Sequence, residues 1–341
     1  MEEPPRFDVK RLLLLALLGS LTILLLLRLA GASEGWEILK GAKTEFIILA
    51  LAAEMLRYLG VALSTQLIAR FLGRKIELLP TVAATFAGTS INRLLATGGV
   101  GGMYVRYRYL KKNDLSLGSV SIIFFLQYIV SALLLLAAFV LGFLYLATHR
   151  GVTWRAMVPS ALIVAAVLGG IICLTRLYRE RERLERGLVS LYRRASDLWR
   201  RIARRRFFSE ARLRTTINRL YACLRLARSN PWGGLAAFAF GALTLFADIL
   251  CLYFVFSALG FEIHPGMVVL GYTVSNYAGA ISMLPDGLLV TDGSLALIYT
   301  SLAMPQEAAA MATLIFRLIS YWLPIPLGFL ALWILRRRSL L

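Results

Sequence analysis

The sequence predicts an all-α polytopic membrane protein of two halves with opposite topology, each half carrying a broken re-entrant hairpin. Composition is the first ground. Of 341 residues, 59% are hydrophobic and 17% charged, well away from the roughly half-apolar, quarter-charged balance of soluble domains. One ordinary soluble core is excluded, and so is disorder, which needs low hydrophobicity. The second ground is that the apolar residues fall in runs long enough to cross about 30 Å of hydrocarbon. The third is an uneven charge: 38 Lys and Arg against 19 acids give +19, and most of the excess lies in one segment.

The elements follow in chain order. Lys10 and Arg11 precede the leucine run Leu12 to Leu27, and Ala30-Gly31-Ala32 resembles a signal cleavage site. Arg28 just before that site, and the length of the run, favour an uncleaved first helix. Apolar spans are read at 11–30, 45–72, 115–147, 156–176, 232–259 and 307–335. The stretches 79–102 and 267–303 are interrupted by glycine, the second also by proline. Positive-inside reasoning fixes orientation. The linker 177–231, together with Arg176, carries 17 arginines against five acids, a net of +12, and reads as cytoplasmic. So do residues 70–75 with Arg70, Arg74 and Lys75, the loop 104–114 with Arg106, Arg108, Lys111 and Lys112, and the tail Arg336-Arg337-Arg338.

Parity then requires 79–102 to enter and leave on the cytoplasmic side, and 267–303 to enter and leave on the outer side. The expected division is a first membrane half, 1–176, whose last span belongs to the second repeat, a basic amphipathic linker, 177–231, and a second membrane half, 232–341. Both termini are expected in the cytoplasm and the whole chain in the cell membrane. At an offset of 189 residues, Leu95-Ala96-Thr97-Gly98 lies on Leu284-Pro285-Asp286-Gly287, and Tyr128 lies on Arg317. Inverted repeats of this kind hold their substrates at discontinuous helices near the midplane.

The chemistry is expected at the hairpins. In the first, Asn92 and Arg93 precede Gly98, Gly99, Gly101 and Gly102. Irregular backbone at membrane depth needs protein or a wet cavity around it, and close amides with Arg93 suit an anionic head group. A tight turn packed with small residues is the plainer reading. In the second hairpin Asp286 and Asp292 stand in apolar sequence, where a charge is costly and seeks a cavity or partner. Asp286 also suits a plain Pro-Asp-Gly turn. Arg317 lies 19 residues before the arginine tail, which makes it a candidate partner for Asp292 or Asp286, or a side chain that snorkels outward. Glu54 and Arg57 share a helix face at i, i+3. They form either a self-neutralised pair or one wall of a central cavity, and Asp248 is a candidate cross-half partner of Arg57.

Other residue types are less informative. Cys173, Cys223 and Cys251 are scattered without CxxC spacing, and His149 and His264 stand alone in short loops. No HExxH, GxSxG or GxxxxGK[ST] pattern occurs, so no metal or cofactor is expected. The linker arginines interleave with Leu188, Leu191, Tyr192, Trp199, Ile202, Phe207 and Phe208, a pattern suited to an anionic leaflet. Nucleic acid is not the expected partner, because no base-stacking or groove-reading motif accompanies the charge.

At its hairpins the chain resembles the flippase-like family, the transmembrane region of lysylphosphatidylglycerol synthases and its stand-alone relatives, over nearly its whole length. Members carry an Asn, a Pro-x-Gly-Gly-x-Gly run in each hairpin, an acid after the second, and an Arg in the last long helix. The matches are Asn92, Gly98, Gly99 and Gly101, then Pro285, Gly287, Asp292 and Arg317. Ala96 replaces the first proline, Leu288 and Val290 replace two glycines, and Asp292 stands where Glu is common. The resemblance implies movement of a phospholipid or polyprenyl-linked lipid with a polar or charged head between leaflets. It also leaves open a membrane-embedded enzyme or subunit in lipid-linked glycan or head-group modification. The synthases transfer an aminoacyl group with an added soluble domain, so that transfer by this polypeptide alone is not expected. A third reading is a scaffold whose arginine linker recruits a cytosolic enzyme.

Overall fold

The computed structural model describes residues 9–95, 100–149, 218, 221, 229–282 and 287–341. The expected span 156–176, nearly all of the linker 177–231, and the hairpin tips 96–99 and 283–286, with Gly98, Gly99, Pro285 and Asp286, lie outside the described residues. All regular structure among those described is helical. The order is α1 (Val9–Ala30), α2 (Ala32–Lys40), α3 (Thr44–Phe71), α4 (Leu78–Leu95), α5 (Val100–Lys112), α6 (Leu117–His149), α7 (Pro231–Ala258), α8 (Pro265–Ile281), α9 (Val290–Ser301), α10 (Gln306–Arg317), a π-helical turn (Leu318–Trp322) and α11 (Pro324–Arg337). Thr44–Phe71, Leu117–Thr148, Pro231–Ala258 and Gln306–Arg337 are long and apolar enough to cross a membrane. Large apolar side chains such as Ile48, Leu141, Leu144, Trp232 and Phe246 stay exposed on them, as a lipid-facing surface requires.

α3 and α7 form the central pair. Lipid tails are as apolar as leucine, so two spanning helices associate through close packing of small residues rather than through hydrophobic burial. Ala50, Ala53, Gly60, Ala62 and Ser64 of α3 are buried, as are Ala237, Ala247 and Cys251 of α7. At the crossing a methyl group on Gly60 would lie 2.6 Å from Thr244 Oγ1 and 3.2 Å from the Phe240 carbonyl oxygen. α7 starts where Asn230 accepts a hydrogen bond from the Gly233 amide at 3.0 Å with Pro231 following, a strong N-cap.

Around this pair the packing is reciprocal. α4 lies against α11, from the C-terminal end of the chain, and α8 lies against α6. Ser90 Oγ donates to the Pro324 carbonyl at 2.8 Å, and Gly142 leaves room for the backbone of Leu270. The arms α4–α5 and α8–α9 pack as hairpins. A methyl on Gly88 would meet the Gly102 carbonyl oxygen at 2.8 Å, so α4 and α5 touch backbone to backbone there.

The feet of each hairpin gather at one end of the bundle. Tyr109 Oη on α5 reaches Thr81 Oγ1 at 3.0 Å and the Glu77 carbonyl at 3.3 Å beside α4. Arg74, after α3, meets Asp114 at 3.4 Å, and Lys112 Nζ donates to the Ser339 carbonyl at 2.6 Å. The feet of α8 and α9 lie at the opposite end. There Tyr299 Oη donates to the Val268 carbonyl at 3.0 Å, the Lys43 amide donates to Ala258, and Gln306 reaches Leu29.

Three features differ from the sequence reading. The loop expected over 104–114 is helix α5 as far as Lys112, so the first hairpin runs past residue 102. Clustered basic residues mark an end of the bundle but do not distinguish a loop from a helix foot. The span expected over 307–335 is broken at Leu318–Trp322, where the Leu323 amide bonds the Leu318 carbonyl at 2.9 Å, five residues back. Pro324 and Pro326 have no amide hydrogen, which deprives the preceding turn of donors. Finally, the short helix α2, with Trp36 and Leu39 exposed and Lys40 over the Trp36 ring, has no counterpart in the reading of the sequence.

Candidate anion site in the helix bundle

Two polar clusters interrupt the apolar interior. The first begins on α3. Glu54 and Arg57 are three residues apart on one face, and Arg57 Nε donates to both Glu54 carboxylate oxygens at 3.0 Å, with Nη2 at 2.5 Å from Oε1. Glu54 is fully buried. Across the α3–α7 contact, Asp248 Oδ1 lies 3.9 Å from Arg57 Nε. Tyr272 Oη on α8 donates to Asp248 Oδ2 at 2.5 Å. The Arg57 guanidinium also lies 4.4 Å from the Tyr58 ring centre, and that ring stacks on Phe86 of α4 at 3.8 Å. One cation is thus shared by two acids from two helices, a satisfied arrangement that burial demands.

Arg57 also forms one wall of a cavity of about 280 Å³ lined by Gly88, Thr89, Asn92, Arg93, Gly102, Met103 and Arg106. Three guanidinium groups therefore converge on it. Arg93 Nη1 donates to the Tyr321 carbonyl at 2.7 Å, and its guanidinium lies 4.7 Å from the Tyr321 ring. That carbonyl belongs to the π-helical turn, so Arg93, at the end of α4, caps the backbone break before α11. Asn92 Oδ1 is buried at the cavity with no hydrogen-bond partner among the described residues. Arg106 Nη2 donates to Thr65 Oγ1 at 2.9 Å and to Gln127 Oε1 at 3.0 Å, and its guanidinium lies 4.7 Å from the Phe124 ring. Gln127 Nε2 donates to the Val61 carbonyl and to Thr65 Oγ1, which turns Oε1 toward Arg106. The acceptors of Arg106 are all neutral, so its charge is oriented but not cancelled. Three arginines thus line the cavity, and among the described residues Arg106 is held by neutral groups.

The second cluster joins α9 to α10. Asp292 is buried at the third position of α9, where Oδ2 accepts from the Leu289 amide at 3.3 Å and Oδ1 pairs with Arg317 Nε. Leu289 holds φ 70°, an uncommon conformation for a branched side chain at the mouth of the helix. Arg317 ends α10 and also faces the Tyr321 ring, 5.8 Å from its centre. Tyr321 therefore lies between the guanidinium groups of Arg93 and Arg317.

Among the residues singled out in the sequence, Arg57, Asn92 and Arg93 gather at the cavity with Glu54 and Asp248 behind them. Asp292 and Arg317 form the adjoining cluster. Gly101 is buried at the start of α5. Gly98, Gly99 and Asp286 lie outside the described residues. Sequence reasoning missed Arg106, Gln127 and Tyr272. For Arg106 the available signal was its place four residues after Gly102, one helical turn along the face that touches Gly88. His264 caps α8 by accepting from the Gly266 amide at 3.2 Å and stacks on Tyr145, and Cys251 is buried.

Comparison with known proteins agrees with this architecture. The family described as "Lysylphosphatidylglycerol synthase TM region" matches residues 12–328. A UPF0104 membrane protein of Pyrococcus horikoshii is 25% identical over 96% of this chain and 98% of its own length. A UPF0104 membrane protein of Methanocaldococcus jannaschii is 27% identical over 38% of this chain and 39% of its own. One of Methanothermobacter thermautotrophicus is 31% identical over 27% of each. With four helices among the described residues long and apolar enough to cross a bilayer, and the family matched over most of its length, the chain is an integral multi-pass membrane protein that belongs to the lysylphosphatidylglycerol synthase transmembrane-region family.

Proposed function

We propose that the protein moves a lipid with a phosphate-bearing head group between the leaflets of the cell membrane. The observation that carries this reading is Arg106, a guanidinium held by neutral acceptors in a cavity between membrane-embedded helices. An ion at membrane depth is costly and functional by default, and one phosphodiester would balance this one. The head group would occupy the cavity of Arg57, Asn92, Arg93 and Arg106 while the acyl tails stay in lipid. Gly98, Gly99, Gly101 and Asp286 belong to the proposed path as the tips of the two hairpins, and the Asp292–Arg317 pair flanks it.

The hairpins are proposed to re-enter from opposite membrane faces, giving two halves, 1–176 and 232–341, of inverted topology. Hairpin feet at opposite ends of the bundle, and the exchange of packing partners between the halves, support this. Both termini and the linker 177–231 are placed in the cytoplasm, the linker on an anionic leaflet or against a cytosolic enzyme. The proposed transport needs no chemistry on the lipid.

The test is reconstitution. Vesicles containing the protein should exchange fluorescent phospholipid between leaflets faster than protein-free vesicles, and Arg93→Gln should slow the exchange by at least fivefold. Exchange at the rate of empty vesicles across several head groups would sink the proposal. A covalently altered lipid recovered from the same vesicles would put head-group modification in place of transport.

A further inference from the structure

Arg106 borders a second cavity. On its far side lies a chamber of about 270 Å³ between α3, α6 and α7, lined by Val61, Phe124, Val130, Ser131 and Gly241 among others. Its walls are mainly apolar, and Met103 and Arg106 belong to both cavities. The rim is open to the lipid-facing surface: Met103 is 50% exposed and Tyr128 74% exposed. A polar compartment lined by three guanidinium groups and an apolar compartment thus share one wall, and that wall carries Arg106, held by neutral groups among the described residues. The two together have the shape of an amphiphile, with the anion on one side of Arg106 and hydrocarbon on the other.

We infer that the protein binds one phosphodiester lipid across Arg106, with the phosphate between Arg106, Asn92 and Arg93 and one hydrocarbon chain lodged in the chamber against Val61, Phe124 and Val130. The inference rests on the lipid-transport reading and adds an anchoring residue and a tail site to it. Arg106 is suited to the anchor because Thr65 and Gln127 fix its plane while leaving its charge uncompensated. A preset guanidinium fork loses little freedom on meeting a phosphate. Asn92 supplies its amide N–H₂ beside the phosphate, and a flip of that amide leaves the count of donors unchanged. A hydrocarbon chain in the chamber accounts for an apolar pocket that opens beside a buried cation. A lone anion would have no use for it, and a lone hydrocarbon would have no use for Arg106. Binding by both parts makes intact lipid the ligand rather than free phosphate or a water-soluble head group.

The inference is tested by titrating the purified full chain and counting bound ligand by native mass spectrometry. The probes are phosphatidylglycerol, its deacylated form glycerophosphoglycerol, inorganic phosphate, and diacylglycerol, which has tails without phosphate. Phosphatidylglycerol should bind at least tenfold more tightly than the other three. Arg106→Gln, which keeps the neutral hydrogen bonds in reach, should weaken it at least tenfold, and Arg106→Lys should restore part of the loss. Ser131→Trp, placed to fill the chamber from its exposed side, should weaken phosphatidylglycerol at least fivefold and leave glycerophosphoglycerol unchanged. Val61→Phe repeats this from the opposite wall should Ser131→Trp fold poorly. Wild-type affinity for phosphatidylglycerol in both chamber variants would overturn the tail site, and wild-type affinity in Arg106→Gln would overturn the anchor. Tight binding with no leaflet exchange in vesicles would instead remove the transport reading and leave this site standing.

Discussion

At the scale of single residues, the interior charges fall into two kinds. Asp292 and Arg317 are committed to each other, whereas Arg106 is held by neutral acceptors. Removing one member of a buried pair leaves an uncompensated charge and costs about 3–5 kcal/mol, more than the pair itself contributes. Asp292→Asn should therefore lower the melting temperature of the detergent-purified protein sharply, and Asp292→Asn with Arg317→Gln should recover most of the loss. A double variant no better than the sum of the single changes would mean that the pair is not coupled. Tyr272→Phe removes the hydroxyl that donates to Asp248 and should cost about 1.5–3 kcal/mol, the range for a hydrogen bond to an ion. The acids and arginines on the long spans were legible in the sequence because a charge in an apolar run has few excuses. Arg106 was harder to read, its one signal being its place a helical turn after Gly102. It stands in a string of basic residues whose charge density suits a solvated segment equally well, and only the packing of α5 turns one of them inward.

At the scale of elements, the close approach of α4 and α5 accounts for Gly88 and Gly102. A methyl on Gly102 would collide with the Gly88 carbonyl oxygen and press on Asn92, so Gly102→Ala should cost about 1–3 kcal/mol through forced displacement. Gly293, inside α9, has nothing within 4 Å of the corresponding methyl position. Gly293→Ala should be neutral or gain up to about 1 kcal/mol from the entropy that glycine loses in a helix. Thermal unfolding of the two variants side by side separates crowding from a general sensitivity to alanine. Equal losses would point to a general sensitivity to alanine, and an unchanged Gly102→Ala would show that the α4–α5 contact yields to the added methyl. Helix existence was readable from run length, since spans of 20 or more apolar residues have few alternatives. The π-helical turn at 318–322 was not, because two prolines in an apolar run announce a break without its form. Which carbonyl Arg93 would cap depended on a contact 228 residues away.

At the scale of the whole molecule, the proposed entry of each hairpin from its own membrane face, read from the parity of basic segments, predicts which positions are accessible from which side. Lys75 and Lys111 flank the first hairpin, and Glu262 and Ser301 flank the second; all four are exposed. In a chain with Cys173, Cys223 and Cys251 replaced, single cysteines at these four positions should label in two pairs. Lys75→Cys and Lys111→Cys should react from the side that carries Arg336 to Arg338, and Glu262→Cys and Ser301→Cys from the other. Two helices of 18 and 13 residues extend roughly 27 and 20 Å at 1.5 Å per residue, against roughly 42 Å for the 28-residue α3. Arms of that length reach well into the bilayer, and their feet still lie within hydrogen-bonding distance of each other, Tyr109 to Thr81. Labels at 75 and 111 on opposite faces would make α4–α5 a crossing segment. The cavity of Arg57, Arg93 and Arg106 would then lose the hairpin that forms one of its sides. Labels in the expected pairs would place Arg106, held by neutral acceptors, between two oppositely entering hairpins, where a phosphate crossing from one leaflet to the other would meet it.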